Sequence, residues 1–225
     1  MSSFDLVGFA FQMIAFLFAI SVHESAHAWT ASRCGDPTAR MLGRISLNPI
    51  RHIDPIGTVL LPLVAAISHV PVLGWAKPTP VDPRNFRNPV LDDILTSVAG
   101  PVSNFIVATG ALLVLGAISL SSPLGRTIVL GLPSGMTSDS SLFPFAKLLF
   151  ELMLINIVLA IFNLIPVPPL DGSHVIRHFM SDSVRRAYDS VGVFGLLALV
   201  YLGGGLLSAM VTPFIRFYIS MLARF

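Results

Sequence analysis

Phe9-Ala-Phe-Gln-Met-Ile-Ala-Phe-Leu-Phe18 is an apolar run without a charge, and it continues through Ala19-Ile-Ser-Val22 directly into His23-Glu24-Ser25-Ala26-His27. Extended to about residue 32, such a run approaches the roughly 20 residues that a helix needs to cross a bilayer. Only Asp5 is charged ahead of it, so the basic region of a cleavable signal peptide is missing and the run reads as a retained transmembrane helix. Near a helix centre each ionised group costs on the order of 2.5–3.5 kcal/mol on insertion scales, so three ionisable residues in five need a compensating partner.

A divalent metal meets that need. At about 3.6 residues per turn, His23 and His27 stack on one helical face and can offer two imidazole nitrogens to one Zn²⁺, with Glu24 projecting alongside. Bound zinc lowers the pKa of water from 15.7 to about 7, and a carboxylate beside it can take the proton and pass it to a leaving amine. The pattern is H-E-x-x-H and the chemistry is amide hydrolysis.

Composition places this helix in a membrane protein. Of 225 residues 54% are hydrophobic and only 12% charged, which does not suit a soluble surface. The 14 Lys+Arg against 12 Asp+Glu leave a net charge of +2, too little to argue for nucleic acid, and the basic residues flank apolar runs. Cys34 is the only cysteine, which excludes an internal disulfide and a cysteine-rich metal site.

Spans are expected near 4–32, 94–120, 144–168 and 190–212. A shorter apolar run near 55–74, interrupted by Pro55, Gly57, Pro62, Pro71 and Gly74, suits a broken or re-entrant segment. Residues 121–143 read as a loop, and 173–188 as a helix lying on the membrane surface.

A hydrolytic zinc keeps one position for water and so needs a third protein ligand. The best candidate is Asp171, in Asn163-Leu-Ile-Pro-Val-Pro-Pro-Leu-Asp171-Gly172, where three prolines break the helix and can redirect the chain into a cavity. A helix-ending Asp-Gly turn is the alternative reading of that dipeptide. His174 and His178 form a rival pair, but they sit on the amphipathic segment without a carboxylate directly after the first histidine, as headgroup-facing residues would. His52 and His69 have no partner in spacing and read as structural.

Together these residues resemble the site-2 protease family of intramembrane metalloproteases, which pairs H-E-x-x-H with N-x-x-P-x(4)-D-G on a later span. Gly100-Pro101-Val102-Ser103-Asn104 resembles the family's G-P-x-x-N motif, so the resemblance covers about 20–172. It implies His23, His27 and Asp171 as zinc ligands and Glu24 as the catalytic carboxylate. Asn163 and Asn104 are implied at the catalytic site, where an amide could donate to the developing oxyanion or orient Asp171; helix–helix hydrogen bonding is the alternative. The chain is similar to a minimal branch, with no room for a PDZ insertion or a CBS pair.

A protease must hold an unwound transmembrane substrate extended. In 72–81, Pro78 and Pro80 remove donors from one strand edge only, leaving Lys77, Thr79 and Val81 to accept substrate by β-augmentation. The family's membrane-associated hairpin suggests the same.

The fold expected is thus an all-α polytopic membrane protein with four main transmembrane helices, a re-entrant or broken apolar segment, a short β-hairpin and an interfacial amphipathic helix. It forms one membrane-embedded domain over 1–225, with a core at about 4–172 and an interfacial helix and transmembrane helix in 173–225. Its function is zinc metalloendopeptidase action on transmembrane protein substrates in or near the bilayer. The rivals are a zinc-binding transporter or channel, which would need polar residues along a whole path, and an idle membrane chaperone, which intact His23, Glu24, His27 and Asp171 oppose. If 55–74 does not cross, ten of the 14 basic residues fall on the zinc-proximal face. That places the site toward the cytoplasm, in a prokaryotic cytoplasmic membrane.

Overall fold

The computed structural model describes residues 5–68 and 74–225, and all regular structure among them is helical. Helix α1, Leu6–Cys34, begins where the Asp5 side chain accepts from the Gly8 amide at 2.9 Å and ends at Gly35, whose φ of 117° is left-handed. A short α2, Thr38–Met41, follows. The Asp54 carboxylate caps a π-helical turn, Pro55–Leu60, by accepting from the Ile56 and Gly57 amides, and the chain continues into α3, Leu61–Ser68. Then come α4, Pro89–Ser121, α5, Pro123–Gly131, and α6, Leu142–Asn163. The chain closes with α7, Asp171–Arg177, α8, Asp182–Leu202, and α9, Gly204–Leu222.

Four of these, α1, α4, α6 and α9, are long and apolar enough to cross a membrane. Contacts between α1 and α4 run in opposite order along the two helices: Cys34 meets Arg87 just before α4, His27 meets Thr96, and His23 and Ala19 meet Asn104. The two helices are therefore antiparallel, with the end of α1 beside the start of α4. Helix α6 packs on both and returns in the direction of α1, so its own end reaches the same level.

Small side chains allow this closeness. Ala15, Ala19, Ala28 and Ala31 on α1, Gly100 and Ala108 on α4, and Ala146 and Ala160 on α6 are all buried, as expected where apolar attraction alone cannot hold helices together in lipid. The half of α4 farther from the site is lined by a larger core: Leu112 and Leu115 pack with Ile128, Met153, Phe150, Tyr218 and Leu222.

Four expectations need correction. The last span is α9, Gly204–Leu222, instead of 190–212, because the helix breaks at Gly203, the first of three successive glycines, where hydropathy alone sees one continuous apolar run. The expected loop 121–143 contains α5. Ser122 caps it by accepting from the Gly125 amide at 3.0 Å, and Ile128, Val129 and Leu132 are buried at its end. The surface helix 173–188 is broken at 178–181 into α7 and α8. No strand occurs among the described residues, while Val72 and Leu73 of the expected hairpin lie outside them.

Candidate metal centre

His23 and His27 project from one face of α1 with their Nε2 atoms 3.0 Å apart. Asp171 Oδ2 lies 3.1 Å from His23 Nε2 and 3.4 Å from His27 Nε2, and ligand atoms of all three residues fall within 4.8 Å of one another. The three residues that sequence reasoning nominates as ligands therefore converge. The turn after α6 accomplishes this: Ile165 donates to Phe162, Val167 to Ile165 and Leu170 to Val167, so the chain folds back at once. Gly172 is needed there, since a Cβ would press on the Leu164 carbonyl and stand 2.8 Å from the Ile165 carbonyl oxygen.

Each imidazole is oriented from behind. His27 Nδ1 donates to the Thr96 carbonyl at 2.7 Å, which leaves its Nε2 lone pair facing the cluster. His23 Nδ1 stands 2.6 Å from Asn104 Oδ1. The Asn104 amide nitrogen is spent on Asn156 Oδ1 at 2.7 Å and on the Ala19 carbonyl, so its oxygen must face His23 and accept the Nδ1 proton. Asn156 in turn donates to the Leu152 carbonyl. Two amide side chains and two carbonyls thus fix the tautomer of the His23 imidazole. Burial works against the Asp171 carboxylate, but positive charge on His27 and His23, where these are protonated, holds it well below the usual range.

Two further observations show that the pocket fits a metal ion. Asp171 Oδ2 is buried without a hydrogen-bond donor. Gly100 faces the imidazoles, and a Cβ there would stand 2.6 and 2.7 Å from His23 Cε1 and Nε2 and closer still to His27 Nε2. Two neutral nitrogens and one carboxylate oxygen, with space kept open beside them, make a zinc donor set.

Glu24 Oε2 accepts the Thr79 backbone amide at 2.8 Å, and Thr79 Oγ1 donates to the Glu24 carbonyl at 3.1 Å. This corrects the expectation of a free strand edge. The amides of Trp75, Lys77 and Thr79 donate inward, to the Gly57 carbonyl, the His52 carbonyl and Glu24 respectively. The edge expected to be open faces the protein itself. Asn163 Nδ2 donates to Leu159 of its own helix at 2.9 Å, beside the turn that carries Asp171.

The rival histidines are engaged elsewhere. His178 Nε2 is 2.7 Å from Asp93 Oδ2, and His174 Nδ1 is 3.8 Å from Asp93 Oδ1, so both tie α7 to the start of α4. His52 is buried, with Nε2 2.8 Å from the Ser46 carbonyl. His69 lies outside the described residues. Nothing local marks Thr96 and Asn156 as supporting residues, whereas Gly100 and Thr79 stand in stretches the sequence singles out, the G-P-x-x-N motif and the expected strand edge, for other reasons; each acts through a contact made far away in sequence.

Against protein families, residues 11–202 match the model of peptidase family M50. The chain belongs to peptidase family M50, the site-2 proteases. Among curated M50-like relatives it is 36% identical over 190 residues to "Putative zinc metalloprotease YwhC" of Bacillus subtilis (strain 168), covering 84% of this chain and 78% of that one. It is 24% identical over 195 residues to "Putative zinc metalloprotease Rip2" of Mycolicibacterium smegmatis, covering 86% of this chain and 66% of the relative. Rip2 of Mycobacterium tuberculosis (strain H37Rv) is 26% identical over 195 residues, with the same two shares. No solved structure matches the chain.

Proposed function

We propose that this M50 protein is an intramembrane zinc metalloendopeptidase in which His23, His27 and Asp171 hold the metal and Glu24 is the catalytic carboxylate. The observation that carries the reading is the convergence of those three donors beneath Gly100, one residue from Glu24. The relatives' zinc-metalloprotease names agree with it.

Zinc, when bound, supplies a Lewis acid that polarises the scissile carbonyl and acidifies water. Glu24 accepts the proton of the attacking water and delivers it to the leaving amine. Thr79 holds one oxygen of that carboxylate, leaving the other to work. Asn104 acts through His23 by fixing its tautomer. The part proposed for Asn163 is support of the turn bearing Asp171, since its N–H is committed to Leu159.

The substrates proposed are transmembrane protein segments, reached from within a single domain spanning 1–225 in the cytoplasmic membrane. The segment 55–68 would enter and leave on one face, because the end of α1 and the start of α4 lie together. Arg33, Arg40, Arg44, Arg51, Lys77, Arg84, Arg87, Arg177, Arg185 and Arg186 then share the site's face, and Arg126, Lys147, Arg216 and Arg224 are left for the rest. That bias supports a cytoplasmic site. Purified protein, incubated with a panel of model transmembrane substrates with and without a chelator and analysed for metal, tests the reading; cleavage that survives complete zinc removal would refute it.

A further inference from the structure

The motif residues Glu24 and Ser25 are the two ends of one closed ring of hydrogen bonds. Ser25 Oγ donates to the Ser46 carbonyl and accepts the Ser46 amide at 3.2 Å. The same carbonyl lies 2.8 Å from His52 Nε2. The His52 carbonyl accepts the Lys77 amide at 2.8 Å, and two residues further on Thr79 binds Glu24. At the centre stands Arg44, only 5% exposed, whose guanidinium donates to the carbonyls of Arg51, Lys77 and Pro78.

A buried cation is costly unless its donors are satisfied. Here carbonyls from two separate loops take up its two terminal nitrogens and leave only Nε without a partner, and the planar fork of arginine suits that task better than a lysine ammonium. The loop bearing Arg51 is anchored to α1 through Ser46 and Ser25, whereas the segment bearing Lys77 and Pro78 is irregular, with no sheet to hold it. Arg44 fastens the second to the first. Burial pushes its guanidinium below the ordinary value, and the nearby Glu24 carboxylate pulls it back up.

We propose that Arg44 is a positioning residue for Glu24, clamping the Lys77–Pro78 backbone so that the Thr79 amide holds the carboxylate in its working orientation. This rests on Glu24 being the proton carrier of a zinc peptidase. Removing the clamp frees the Thr79 amide to drift and lets Glu24 sample unproductive rotamers, while the metal ligands on α1 and α7 keep their own supports.

The test compares kcat, KM and bound zinc for Arg44→Ala in detergent. The expected result is a kcat loss of roughly 10–100-fold, the usual scale for outer supports, with zinc and KM unchanged. Added guanidinium should recover part of the loss, and Arg44→Lys should fall in between. In a Glu24→Asp background, where the shorter carboxylate no longer reaches Thr79, Arg44→Ala should cost little more. Equal losses in both backgrounds, loss of zinc, or wild-type turnover would overturn the proposal. If Arg44→Ala fails to fold, Thr79→Pro, which leaves Arg44 intact and removes both the amide on the Glu24 carboxylate and the hydroxyl on the Glu24 carbonyl, takes its place, with Thr79→Val as the control that removes the hydroxyl alone. Thr79→Pro should show the same kcat loss and non-additivity and Thr79→Val should not; additive losses, or equal losses in the two variants, would overturn the proposal. Zinc-independent cleavage by the wild type would instead strike the protease reading itself.

Discussion

Gly100 on α4 lies directly against His27 on α1, so that the missing Cβ of one residue is the free space in front of the other's Nε2. A methyl group there would collide with both zinc-facing imidazoles, and the buried helices around it have little room to yield. Gly100→Ala should therefore weaken zinc binding by roughly 10–100-fold while the helices remain folded. Zinc competition with a chromogenic chelator, read beside circular dichroism, checks this; wild-type affinity would mean that α4 can retreat.

Glu24→Gln preserves shape and an acceptor for Thr79 but removes the carboxylate proposed to carry the proton. Cleavage should fall by about 10²–10⁴-fold with zinc retained. Asp171→Ala should behave in the opposite way and lose the metal. Full zinc occupancy in Asp171→Ala would turn attention to His174 and His178.

Asp93 is buried at the start of α4 and anchors His178 at the end of α7, whose first residue is Asp171. Asp93→Ala and His178→Ala should each weaken zinc by about tenfold, since each releases the helix that presents a ligand. The double variant should be no worse than either single one. Isothermal titration of the metal-free proteins measures all three, and additive effects would show that the two residues act separately.

The expected topology can be read by cysteine labelling at Arg40, Arg84, Ser138 and Ser181 in a background with Cys34 replaced. Positions 40, 84 and 181 should react from the cytoplasmic side and 138 from the outer side. Labelling of 40 and 84 from opposite faces would show that 55–68 crosses.

What was legible in the sequence was what short-range geometry dictates. His23 and His27 had to share a face because four residues make about one turn, and the prolines before Asp171 had to break α6. Charge scarcity and apolar runs gave three of the four spans within a few residues. Hydropathy could not locate the fourth, because an apolar sum is indifferent to three successive glycines. Nor could the alternating prolines at 78 and 80 reveal which edge of their segment was open, because that depends on Glu24 and His52 reaching it from elsewhere. Thr96 contributes only a carbonyl, which every residue type possesses and no sequence pattern can flag.

The groups that brace the two imidazoles, Asn104 and the Thr96 carbonyl, carry no formal charge, whereas Asp171 and Glu24 carry one negative charge each when ionised. A divalent zinc beside them makes the loaded centre electroneutral as a whole. Extraction of the ion would strand two like charges among apolar helices, an arrangement that lipid penalises. The cation would then serve the assembly of the protein as well as its chemistry: zinc-starved cells should contain less of the chain, because it is turned over before it ever meets a substrate.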